Sequence, residues 1–221
     1  MKVLSAYLRS LTLLSLLLAM DAVSKECVVP EGDGAAYFGF QLGVKFSEFT
    51  EYSECLGVPL KTIRARDKRT KVVFYDQVVF RSSLFPQSLQ NNGAISSLRF
   101  APTGHLASIQ VSWVVDSRDD TDELIEVLKK NFGTPIELNN TRGSLFGSAN
   151  WKFDKAGSDD EIELFEKGEM TNVSLKFTAR SKVYEKQING ATELHLSLLE
   201  KMQERSRQRE KNSTSKYERM F

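Results

Sequence analysis

Histidine and cysteine are scarce in this chain, with two of each among 221 residues. A cysteine nucleophile needs a nearby histidine to activate it, and neither His105 nor His195 stands in a recognisable catalytic context. A zinc site built from Cys27, Cys55, His105 and His195 would need much tighter ligand spacing. Excess charge is missing too. Thirty basic residues face 29 acidic ones, so nothing global draws the chain to nucleic acid or to an anionic membrane. Beyond the first residues no segment is apolar enough to span a bilayer. The glycines of "GDGAAYFG" lead into an expected strand, whereas a phosphate-binding loop leads into a helix. Neither G-x-S-x-G nor H-E-x-x-H occurs. Carboxylates are plentiful but lie on predicted surfaces, with no pair marked for acid–base work. On these grounds no catalytic residue, metal ligand or cofactor is assigned.

What is present begins with "MKVLSAYLRSLTLLSLLLAMDAVSKE". Lys2 and Arg9 form a positive start, Ser10 to Ala19 an apolar run broken only by small hydroxyls, and Ala19 and Ala22 supply small residues. The run suits a secretory signal, residues 1–22, and falls short of the ~20 residues that cross a bilayer. A retained N-terminal anchor helix is the alternative. Cys27 follows "SKE", which does not match a lipoprotein signal. Removing residues 1–22 leaves 199 residues with 28 basic and 28 acidic side chains, enough for one large domain or two small ones. The expected location is periplasmic or extracellular. Two thiols in an exported chain most simply pair, and a Cys27–Cys55 bridge would restrict the unfolded chain by about 3–4 kcal/mol. Two buried free thiols are the competing reading.

The stretch "CLGVPL", 55–60, returns in altered form as "NFGTPI", 131–136, 76 residues later. The second follows the clearest helix in the chain, "SRDDTDELIEVLKKNFG", residues 117–133. Acidic residues crowd its first turn and Lys129 and Lys130 its last, matching the helix dipole. Leu124, Ile125, Leu128 and Phe132 share a face, Gly133 is placed to end the helix, and Pro135 prevents its resumption. Shifted back by 76, Phe49, Tyr52, Leu56, Gly57 and Pro59 take equivalent places. Each "G-x-P" is thus expected to end a helix and turn the chain into a sheet. Internal duplication and coincidence both explain the echo, since Gly then Pro is common after any helix.

Strands are expected at "YFGFQL", "TIRAR" and "VVFYDQVVF", and a hairpin in "ISSLRFAPTGHLASIQVSWVV" turns at 102–104. In its second strand Ala107, Ile109, Val111, Trp113 and Val115 alternate with Ser108, Gln110, Ser112 and Val114, so one face is buried. "ANWKF", "EIELFE" and "NVSLKFTA" give three more. Antiparallel runs with segregated helices define an α+β fold. It has two helix-plus-sheet halves, residues 23–116 and 117–180, followed by a C-terminal helix and basic tail, 181–221. A helix ending in Leu56-Gly57-Val58-Pro59 or Phe132-Gly133-Thr134-Pro135 before an antiparallel meander resembles the modules of the outer-membrane assembly lipoprotein family. The tandem arrangement is similar to that of the β-lactamase inhibitory proteins. The resemblance covers residues 37–180 at the level of topology and implies an envelope or secreted binding module, not a catalyst.

Local charge breaks the global neutrality. "KTIRARDKRTK", 61–71, is strongly basic and "DDEIELFEKGE", 159–169, strongly acidic. Such runs are commonly a solvated face. The functional reading is that Arg64, Arg66, Lys68, Arg69 and Lys71 form a cationic hairpin facing a protein or anionic surface; a third is that the basic and acidic strands pair inside the molecule. In the last region Tyr184, Ile188, Ala191, His195, Leu198 and Met202 follow helical steps, widened by Leu194 and Leu199. Asn189-Gly190 is expected to kink this helix or mark its start, His195 to be a packed core histidine, and the chain after Met202 to be frayed or disordered. Asn139, Asn172 and Asn212 begin N-x-S/T sequons, which matter only where the host glycosylates. The functional expectation is an exported, non-catalytic binding module. An envelope scaffold oligomerising through residues 182–202 is the alternative, and a hydrolase with an unrecognised site the third.

Overall fold

The structure is a computed structural model that describes residues 27–37, 40–58, 60–81, 95–144, 146–153, 159–169 and 171–218. The expected signal segment and Pro59 lie outside these residues. Two short strands, β1 (Ala36–Tyr37) and β2 (Phe40–Gln41), precede helix α1 (Phe46–Cys55). Strands β3 (Lys61–Arg66), β4 (Val73–Arg81), β5 (Ile95–Phe100) and β6 (Leu106–Val115) follow. Helix α2 (Arg118–Phe132) then leads into β7 (Ile136–Asn140), β8 (Ser148–Phe153), β9 (Asp160–Gly168) and β10 (Val173–Ser181), and helix α3 (Lys182–Glu218) closes the chain. The fold is α+β.

The two helices before the meanders stop by different chemistry. In α1 the Gly57 N–H donates to the Glu54 carbonyl and the Val58 N–H to that of Ser53, both at 3.0 Å, with Gly57 at φ 66°. This is the double bond pattern of a left-handed glycine cap. In α2 the Gly133 N–H donates to Lys129 at 2.8 Å, and Gly133 sits at φ 87°, ψ 179°, a region open essentially to glycine alone. Gly133 therefore ends the helix as expected, with a positive φ but a ψ outside the left-handed helical region. At the other end of α2, Ser117 and Asp120 form a reciprocal capping box, satisfying two otherwise unpaired N–H groups.

Eight strands make one antiparallel sheet in the order β3-β4-β5-β6-β10-β9-β8-β7. Each half is a helix followed by a four-strand meander, and the halves meet where β6 pairs with β10, from Ser108↔Arg180 to Val115↔Val173. One face carries the main core. Phe49 of α1, and Ile125 and Leu128 of α2, pack with Leu98, Phe100, Ile109, Val111, Trp151, Phe153, Ile162, Leu164, Leu175 and Phe177, all buried. A smaller cluster of Ala101, Ala107, Tyr184 and Ile188 lies beneath α3. Leu98 and Phe100 join the main core while Arg99 between them reaches Glu185 of α3, so α3 packs on the other face of the sheet. The Cys27–Cys55 disulfide, with Cα atoms 5.7 Å apart, ties the N-terminal segment to the end of α1.

Four expectations need correction. "YFGFQL" is not one strand but a miniature hairpin, Ala36 pairing with Gln41 and Tyr37 with Phe40. Ala107 does not share a face with Ile109. A bulge opposite Arg99 and Phe100 inserts one extra residue, which sends Leu106 and Ile109 to the main core and Ala107 to α3. Asn189 and Gly190 lie inside α3, which starts at Lys182, straight off β10. The chain after Met202 is helical to Glu218. No glycine or proline occurs between 191 and 218, and extending an established helix costs no new nucleus.

Candidate interaction surface

The basic run is the outermost strand of the sheet and the turn that follows it. All five expected site residues, Arg64, Arg66, Lys68, Arg69 and Lys71, are exposed, but they are not equivalent. Arg64 clamps Asp76 on β4, its Nε 2.6 Å from Oδ1 and an Nη 2.9 Å from Oδ2. That hydrogen bonding holds the Arg64 pKa above its ordinary value. Arg64 therefore neutralises a buried carboxylate. Arg66, Lys68, Arg69 and Lys71 have no ion-pair partner among the described residues.

The turn that carries them is fixed from inside. Asp67 accepts from the Arg69 N–H at 2.8 Å, the Thr70 N–H at 2.7 Å and the Thr70 hydroxyl at 3.2 Å. The Thr70 N–H, aided by Arg69, keeps the Asp67 carboxyl below the usual carboxylate range. Lys71 sits at φ 63°, a left-handed conformation uncommon for a residue with a Cβ. Thr70 Oγ1 lies 2.9 Å from His195 Nδ1, and the His195 ring meets Phe74 edge-on at 4.6 Å between centroids. His195 is packed against Phe74 but is half-buried and outside both apolar clusters, not the core histidine its position in the stripe suggested, and it pins the hairpin tip to α3. His105 stacks on Tyr184 with centroids 5.0 Å apart and 2 residues from its partner Thr103, whose Oγ1 is 3.1 Å from Nδ1.

Beyond His195, α3 passes the tip of the hairpin. A cleft of about 500 Å³ opens there between Arg69 on one side and Leu199, Met202, Gln203, Ser206 and Arg207 on the other. Sequence reading separated the hairpin from the tail; the structure brings them together. The stripe meant for oligomerisation is used unevenly. Tyr184 and Ile188 are buried in this chain's own fold, whereas Leu194 and Met202 are exposed, as is Leu196 outside the stripe.

The acidic run is β9, and it does not meet β3, since four strands separate them in the sheet. The reading in which the two runs pair is therefore set aside. Lys152 Nζ lies 2.5 Å from Glu161, and Arg180 3.1 Å from Glu163, across the face away from the main core. The hydrogen bond from Lys152 keeps the Glu161 carboxyl below its usual range. Asp160 is buried and accepts from the Tyr37 hydroxyl at 3.0 Å. Burial, then the Asp160 charge, pushes the Tyr37 pKa up. Glu166 is wholly buried beneath Arg142 and Arg118, a site that sequence reading missed. Its signal was there: in "EIELFE" strict alternation puts Glu166 on the same face as Ile162 and Leu164.

No protein-family model matches this chain, and no curated protein matches it in sequence. Among the described residues no helix is long and apolar enough to cross a membrane.

Proposed function

We propose that this chain is an exported, non-catalytic interaction module that presents its β3–β4 hairpin tip to an anionic partner. The observation that carries this reading is the contrast within the hairpin. Arg64 is spent on Asp76, while Arg66 at the end of β3 and Lys68, Arg69 and Lys71 in the turn have no ion-pair partner among the described residues, on a turn braced by Asp67 and anchored by Thr70 to α3. Holding unpaired like charges close together on a rigid turn costs free energy, which a partner of opposite charge would recover. The disulfide supports an oxidising compartment, periplasmic or extracellular. A second reading, a scaffold component that self-associates through α3, draws its support from the exposed Leu194, Leu196 and Met202.

The test combines Arg66→Ser, Lys68→Ser, Arg69→Ser and Lys71→Asn, the last because asparagine tolerates positive φ. Arg64 is left in place so that Asp76 keeps its partner. The processed variant is expected to melt as wild type and to lose its partner in capture from the native envelope or secretome. Undiminished capture with unchanged melting rejects the hairpin as the contact surface.

A further inference from the structure

The hairpin tip and the far part of α3 are both rich in cations, and they meet at the cleft that Arg69 and Arg207 line. Arg66, Lys68, Arg69 and Lys71 come from the hairpin, and Lys201, Arg205, Arg207, Arg209 and Lys211 from the helix. Against these nine stand four acids, Asp67, Glu200, Glu204 and Glu210, in a chain whose total charge is only +1. The charge is therefore segregated, not evenly spread. At the junction lies the cleft described above, with Arg69 on its hairpin side and, on its helix side, Arg207 together with the apolar Leu199 and Met202. Met202 is 41% exposed although it lies on the stripe that buries Tyr184 and Ile188. Past Met202 the helix continues for 16 residues, 203–218, about 24 Å at the usual rise.

We infer that this cleft seats the phosphate head group of an anionic lipid, with α3 lying along the charged surface beyond it. The inference rests on the interaction-module reading and names its partner. Guanidinium groups are the side chains best shaped to grip phosphate oxygens, and Arg69 and Arg207 supply two on opposite walls. The Gln203 amide and Ser206 hydroxyl add polar contacts, although Ser206 already donates to the Met202 carbonyl at 3.1 Å. The apolar Leu199 and Met202 of the helix wall argue against a sulfated glycan, which offers nothing to cover them. A protein partner is disfavoured because stable protein interfaces have an apolar centre, and among the described residues the cleft itself offers only Leu199 and Met202. A lipid surface needs no such centre, since each basic side chain near it contributes separately.

The test is flotation of the processed full-length protein with vesicles of phosphatidylcholine alone or mixed with phosphatidylglycerol. Binding is expected only to the mixed vesicles and to fall at high salt. Arg69→Gln with Arg207→Gln should weaken it roughly 30-fold from the worth of two basic side chains at an anionic surface. Lys129→Gln with Lys130→Gln, which removes equal charge from α2, should change it little. Met202→Gln should weaken vesicle binding, a change that attraction of charge alone does not predict. No binding to the mixed vesicles, or equal losses in the two charge variants, overturns the inference. So does binding of inorganic phosphate or heparin without binding of vesicles. In each of those outcomes the module reading survives if the hairpin variant still loses its captured partner, so the two proposals fail separately.

Discussion

Arg142→Leu should be among the most damaging single changes outside the apolar core. Arg142 lies in the β7–β8 turn and holds Glu166 through Nε at 2.9 Å and an Nη at 2.5 Å. It also reaches Asp122 at 2.6 Å and lies 4.9 Å from the centre of the Trp151 ring. Bonding to Glu166 first, and to Asp122, pushes its pKa up despite burial. Removing it leaves a carboxylate with no exposed side-chain surface and one remaining cation, Arg118, at 3.2 Å. Breaking a buried pair from one side costs about 3–5 kcal/mol, and the surviving Arg118 places this case near 3. For a chain of this size that is a fall of about 6–12 °C in melting temperature. Arg142→Lys should lie between, because an ammonium cannot supply two parallel donors. In Arg142→Leu/Glu166→Leu the stranded charge is gone, so much of the loss should return. Thermal and urea melting of these proteins, with Glu166→Leu added to close the cycle, gives the coupling directly. A loss below about 1 kcal/mol for Arg142→Leu, or a double variant no better than the single, would refute the reasoning.

Reducing the Cys27–Cys55 bridge, or replacing both by serine, should cost about 3–4 kcal/mol and lower the urea midpoint, with the N-terminal segment first to gain protease sensitivity. Tyr184 gives a pH test. Burial first, then its 2.7 Å hydrogen bond to Asp33, pushes its pKa from 10.0 up to about 12. Below 10.0 the phenol is neutral folded or unfolded, and its contribution to stability is fully present. Above 10.0 the unfolded chain releases this proton first, so stability should fall as pH rises towards 12. Tyr184→Phe should be less stable at neutral pH and show a shallower alkaline decline. Its phenolate absorbance titration should lack the late step at about 12. An unchanged titration would sink the assignment.

The parts of the fold that were legible in the sequence are those set by local chemistry. Ser117 and Asp120 announce α2, Gly57 and Gly133 end their helices, and alternation in β6 and β8–β10 separates a core face from a polar one. What escaped depends on distant partners. That β6 would choose β10 is set by which edges remain after two meanders form, and no residue of either strand records it alone. The bulge that turns Ala107 towards α3 interrupts the very alternation used to place it. The tail was judged by its missing apolar stripe, yet backbone propagation was enough to keep it helical. For the candidate surface, the five cations were visible but their division of labour was not. Only Asp76, twelve residues away on the paired strand, distinguishes Arg64 from its neighbours.

Because the two meanders are welded through their last strands, the rims of the sheet are their first strands, the segments that leave each helix stop. An open rim is a template for fusing one molecule to another. On β3 the rim is guarded by Lys61 and Arg66, whose charge would oppose a second β3 approaching in line. On β7 no such guard of like charge exists; there a register shift between Glu137 and Asn139 spoils the regular spacing that an incoming strand would need. Edge-to-edge pairing is thus opposed by charge at one border and by misfit at the other, and a change that regularised β7 should favour it.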